Sequence, residues 1–262
     1  MFPPGNAGAD RAILEHLRHR RSWYADLVGP LLVHGDRWHE FLSAHAAAGS
    51  PEVGVVVVAT TRRPERVPER LHVVGYEAVT QPPFTLPDDG MRTAVEIVDP
   101  DRRDDILDAV AAARAAGLDV IAKYRTGGES ADAFPVEETV ADLLASAVTR
   151  GVPLKFTAGL HHAIRRTDPE TGFERHGFLN LMAATKAIQD RVHAAGAAPA
   201  DPVEPVPVLA CRDVDGLVVR VRGWSLDDVV AVRQSFVSFG CCGVGDPIGD
   251  LTALGLVDEE PR

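Results

Sequence analysis

At 262 residues, with 45% hydrophobic and 25% charged side chains, the chain has the composition of an ordinary globular protein and the length of one large α/β domain. Its 38 acidic and 27 basic side chains give a formal charge of −11, which excludes a basic footprint for nucleic acid or for an anionic membrane and leaves a small-molecule substrate as the expected partner. No run approaches the roughly 18 apolar residues of a membrane span, and Met1 to Gly5 lacks the basic-then-apolar layout of an export signal. A cytoplasmic protein is therefore expected, and its composition is compatible with a homo-oligomer.

In chain order, residues 8–21 place Ile13, Leu14 and Leu17 at helical spacing, and Asp36 to His45 reads as a second helix, so residues 1–50 form a helical lead-in. Residues 51–195 then alternate regularly. Strand-like runs cover Val53 to Ala59, Leu71 to Val79, Thr93 to Val98, Asp119 to Arg125 and Pro153 to Gly159. Helices are expected over Asp101 to Ala116, stopped by Gly117, over Pro135 to Arg150, with Pro135 in the first turn and Gly151 as the stop, and from His176 onward. Residues 196–262 are less regular. The four prolines of 196–207 suggest a linker or surface loop, Leu217 to Arg222 a strand, Ser225 the N-cap of a helix over Leu226 to Phe236, and 240–249 a Gly-rich loop.

Strands alternating with helices imply parallel pairing through right-handed crossovers, hence a doubly wound sheet or a (β/α) barrel within a single domain. Polar residues decide between them. Glu77, Glu96, Lys123, Arg125, Lys155 and Thr157 alternate with apolar neighbours along their strands. A doubly wound sheet has helices on both faces and no room for these charges, whereas a barrel gives them a shared interior. The expected fold is a TIM-barrel-like parallel barrel, incomplete or irregular in its C-terminal third.

The strings Lys123-Tyr-Arg-Thr-Gly-Gly128, Lys155-Phe-Thr-Ala-Gly-Leu-His-His162, His176-Gly-Phe-Leu-Asn180 and Ser238-Phe-Gly-Cys-Cys-Gly243 with Asp246-Pro247 resemble the signatures of a family of uncharacterised bacterial α/β-barrel-like proteins. The resemblance covers roughly residues 90–256 and implies no activity. Where that family has Ser-Phe-Gly-Ser-Cys-Ser and Glu-Pro, this chain has Ser-Phe-Gly-Cys-Cys-Gly and Asp-Pro.

Lys123 and Lys155 occupy matching contexts and are expected on adjacent strands about 4.8 Å apart, where mutual repulsion would depress one pKa. A neutral lysine attacks carbonyls. The leading expectation is thus a lyase or isomerase acting on a small anionic carbonyl compound without a redox cofactor. Lys155 is its Schiff-base nucleophile, Lys123 its electrostatic tuner, and Glu96 or His161 its proton carrier. The pairing is similar to that of two barrel lysines in class I aldolases of the deoxyribose-phosphate type, in arrangement alone. Arg125, ahead of Thr126 and two glycines, suits an anionic group, and Thr157, Glu77, His162, His176 and Asn180 complete the candidate binding set.

Three alternatives stand beside this expectation. Glu77 and Glu96 with the histidines form a metal-dependent hydrolase or isomerase, although the nearby cations argue against a metal. The same cations clamp an anion without chemistry. Or Lys123 and Lys155 form interior salt bridges with Glu77 and Glu96. Cys211, Cys241 and Cys242 match neither a disulfide framework nor a zinc spacing and are expected as reduced thiols.

Overall fold

The structure is a computed structural model that describes residues 7–60, 63–84, 86, 89–193 and 204–258. Its frame is a seven-stranded parallel sheet: β1 (Leu31–His34), β2 (Val53–Val58), β3 (Leu71–Ala78), β4 (Arg92–Ile97), β5 (Val120–Arg125), β6 (Leu154–Thr157) and, after a short antiparallel pair β7 (Arg166–Thr167) and β8 (Glu174–Arg175), β9 (Phe236–Phe239). The spatial order β1-β2-β3-β4-β5-β6-β9 follows the chain, so every crossover turns the same way and the helices collect on one face. β1 and β9 do not pair, and the sheet curls into a half-barrel rather than a closed barrel.

Two apolar clusters lie on the helix-covered face. Ile13 of α1 (Ala9–His19) and Phe41 of α2 (Trp38–Ala47) pack on Val53, Val55, Val57 and Tyr76. The helices α3 (Arg103–Ala115), α4 (Glu137–Thr149) and α5 (Phe178–His193) bury Val95, Val120, Ala122, Leu154 and Phe156. Register joins these clusters into one face, because Val57 lies beside Tyr76, Tyr76 beside Thr93 and Thr93 beside Val120. The opposite, concave face carries Glu77, Ala94, Glu96, Ile121, Lys123, Lys155 and Ser238. The expected polar interior therefore exists, on the hollow side of an open sheet. Gly117 and Gly151, with φ of +93° and +63°, stop α3 and α4 as expected.

Several expected elements differ. β1 adds an edge strand inside the supposed helical lead-in. Pro135 precedes α4, which starts at Glu137. Most of the expected 196–207 loop lies outside the described residues, and Pro205 opens the short helix α6 (Pro205–Ala210). Leu217 to Arg222 is no strand but part of α7 (Val214–Arg222): the Asp213 carboxylate accepts from the Gly216 N–H, and only Leu217 of this helix is buried. Residues 245–253 form α9 (Gly245–Ala253), which confines the Gly-rich loop to 240–244.

Ser225 caps α8 (Leu226–Ser235) as expected, in a reciprocal capping box with Asp228. Ser225→Ala should lower stability by about 1 kcal/mol in denaturant titration. Among the described residues no helix is long and apolar enough to cross a membrane.

Candidate functional site

The concave face is organised around Glu77. On a flat sheet Glu77 of β3 and Lys155 of β6 would stand three strands apart, about 14 Å at ordinary spacing. Curling brings them together across the small Ala94: Lys155 Nζ donates to Glu77 Oε1 at 2.5 Å. Lys123 Nζ lies 2.5 Å from Glu77 Oε2 and 2.8 Å from Glu96 Oε2. Oε2 of Glu77 has no well-aligned hydrogen bond and is neutralised by Lys123 as an ion pair. The side chains of Glu77 and Lys123 are 2% and 4% exposed, those of Lys155 and Glu96 11% and 12%, so the two ends of the row are the accessible ones and Lys155 is the more accessible of the two lysines.

Two cations and two anions thus balance in a nearly dry row. The two lysines are directly in register on neighbouring strands, as expected, but they do not simply repel each other, because Glu77 lies between them. Burial alone would depress the Lys123 pKa, yet Glu77 and Glu96 outweigh burial and raise it. Burial likewise opposes the Glu77 charge, and Lys155 and Lys123 together still lower its pKa. Lys123 is therefore a fixed cation.

Above this row, at the C-terminal strand ends, Arg125 and Thr157 are in register. Arg125 is half-buried and has no ion-pair or hydrogen-bond partner among the described residues. Thr157 is 2% exposed, and its Oγ1 hydrogen-bonds to nothing among those residues. The glycines after Arg125 serve packing: a Cβ on Gly127 would stand 2.8 Å from Phe134 Cε1, and one on Gly128 2.6 Å from Ala133 Cβ. Thr126 donates its N–H to Thr157 O at 2.8 Å and its hydroxyl to Ala158 O at 2.8 Å. That clamp holds Ala158 and Gly159 at φ of +62° and +78°, a left-handed turn that is unfavourable for alanine and redirects the chain toward His161.

The histidines divide into separate roles. His161, expected as a proton carrier for the lysines, contacts the C-terminal part instead: its Nδ1 lies 3.2 Å from Asp246 Oδ2, and the Cys242 thiol hydrogen-bonds to its ring. His162 Nδ1 lies 3.2 Å from Asp250 Oδ2, which also accepts from Ala163 N–H at 2.8 Å, so α9 anchors this loop. His176 is buried, with Nε2 2.7 Å from Pro135 O, and desolvation lowers its pKa. Asn180 is fully buried. Its Oδ1 accepts from Arg165 N–H, and its Nδ2 donates to Val208 O and Cys211 O. The polar atoms of both residues serve as struts.

The polar loop after Arg165 is the β7/β8 hairpin, pinned where Arg165 Nη2 meets Glu137 at 2.6 Å and Glu174 at 3.3 Å. Among the described residues, no group of three or more His, Cys, Asp or Glu side chains is arranged to hold a metal ion. The pairing of Cys242 with His161 was missed from sequence, because it depends on β9 lying beside β6. No family model, curated protein or solved structure matches this chain.

Proposed function

We propose that the concave face belongs to a lyase or isomerase that forms a Schiff base between Lys155 and the carbonyl group of a small anionic compound. The observation that carries this reading is the asymmetry of the lysine row. Lys123 is locked between two carboxylates, whereas Lys155 is the more accessible ammonium and faces one oxygen of Glu77 at 2.5 Å.

Glu77 takes a proton from Lys155, and the neutral amine attacks the carbonyl carbon. Glu77 returns that proton to the carbinolamine hydroxyl, which leaves as water and gives an iminium ion that stabilises a neighbouring carbanion. Lys123 remains a fixed cation between Glu77 and Glu96, and Glu96 is the second carboxylate within reach of the row. The anionic end of the substrate is held by Arg125, the uncommitted cation, and by the hydroxyl of Thr157.

A second reading, an anion-binding half-barrel whose lysines are purely structural, is favoured by the equal number of charges in the row. Borohydride trapping separates the two. In the presence of small keto acids or phosphorylated aldehydes, intact-mass spectrometry should show a reduced adduct on wild type and on Arg125→Lys, and none on Lys155→Ala. An adduct retained at wild-type yield in Lys155→Ala would move the nucleophile elsewhere. Thermal stabilisation by these compounds without any adduct would select the binding reading.

A further inference from the structure

We infer that Cys242, His161 and Asp246 form a second reactive centre: a thiol nucleophile with its base and orienting carboxylate, acting on small acyl esters or thioesters. It requires neither lysine of the concave face.

The sheet order brings the three together. β6 and β9 are parallel neighbours, so the loops leaving their C-terminal ends start side by side. The Gly240 N–H donates to Phe156 O at 2.8 Å and extends the pairing past β9, and a Cβ on Gly240 would stand 3.3 Å from Thr157 Cγ2. The first loop turns sharply at Ala158 and Gly159 and presents His161, and the second presents Cys242.

The three groups meet at His161: Cys242 lies close enough to its imidazole to raise its pKa, and its Nδ1 is held by Asp246 Oδ2 at 3.2 Å. His161 is held above its ordinary value, first by its hydrogen bond to Cys242 and then, against desolvation, by the charges of Cys242 and Asp246. Cys242 is exposed and stands three positions before α9. The adjacent Cys241 differs. Burial and the neighbouring Cys242 push its thiol up to about 11, which keeps it protonated and inert. The methyl group of Thr157, at the end of β6, packs against Gly240 at the end of β9 and holds the two loops side by side.

The step balances without a redox partner. Cys242 gives its proton to His161, and the thiolate attacks the acyl carbon. The bond from that carbon to the leaving oxygen or sulfur breaks, and the leaving group takes the proton from His161. Water, deprotonated by His161, then cleaves the new C–S bond, releasing the carboxylic acid and restoring the thiol. Asp246 is a positioning residue that fixes the ring.

The test uses p-nitrophenyl acetate as acyl donor and iodoacetamide as alkylating probe on the full-length protein. Wild type should release a burst of p-nitrophenolate matching the protein concentration and carry the acetyl group on Cys242. It should also alkylate at Cys242 at least about tenfold faster than a free cysteine thiol. Cys242→Ser should abolish the burst, and His161→Asn should slow acylation about a hundredfold. Asp246→Asn, at a largely exposed side chain, should slow it about tenfold, with recovery in Asp246→Glu. Cys241→Ser should behave as wild type. An alkylation rate equal to that of free cysteine and unchanged by His161→Asn, or an acetyl group found on Cys241, would overturn the assignment.

Discussion

Replacing Glu77 with leucine should destabilise the protein by about 4 kcal/mol, because one buried ammonium loses its compensating charge and cannot move into water. For a chain of this length that corresponds to a fall in Tm of about 10 °C. The double variant Glu77→Leu, Lys155→Met should recover much of the loss, since it leaves the neutral pair of Lys123 and Glu96 at 2.8 Å. Thermal melts of both variants check this, and a Glu77→Leu protein within about 1 kcal/mol of wild type would show that the row does not hold the sheet together.

The same network sets a pH window. The folded pKa of Glu77 lies below its ordinary 4.5, so its contribution is complete above that value and is lost as pH falls through the depressed folded pKa. The folded pKa of Lys123 lies above its ordinary 10.5, so its contribution is complete below that value and is lost only as pH rises beyond it. Between the two, stability from this row is flat. Glu77→Leu should remove the acid limb.

Gly177→Ala should cost about 3 kcal/mol or more, for a steric reason. A Cβ there would stand 2.4 Å from Ala163 O, 2.4 Å from Asn180 Oδ1 and 2.5 Å from the Ile164 carbonyl carbon. None of these can retreat cheaply, because Asn180 is held by three hydrogen bonds and Ala163 by Asp250. Gly172→Ala offers the comparison. Its φ of +72° disfavours a side chain, but nothing lies within 4 Å, so about 1 kcal/mol is expected from denaturant midpoints.

The alternation of β3 to β6 was legible because one face of each strand is buried under helices and the other carries charge, and β2 was legible as a run of strand-forming valines. The matching contexts of Lys123 and Lys155 correctly implied neighbouring strands in register. Their ion pairing was harder to read, since Glu77 reaches Lys155 only through sheet curvature, which no local pattern encodes. Leu217 to Arg222 misled through its β-branched residues: in a helix that buries only Leu217, capping and helix packing outweigh local propensity. β1 lies between two helical patterns and β9 begins at Phe236 directly after α8 ends at Ser235, so neither stood out from the expected helices. His-Gly-Phe-Leu-Asn looked chemical, yet His176, Gly177 and Asn180 are explained by the tight packing of the loop over α5.

The strand order also sets a sequence of assembly. Each strand from β2 to β6 can pair with the one synthesised just before it, so the sheet can grow as the chain leaves the ribosome. β9 is the exception, because it must wait for the whole of 158–235 before docking on β6. A nascent or truncated chain therefore holds the lysine row but keeps its thiol and imidazole apart. Heightened reactivity of Cys242 becomes a property of the finished molecule alone, and its appearance during refolding would time the last docking event.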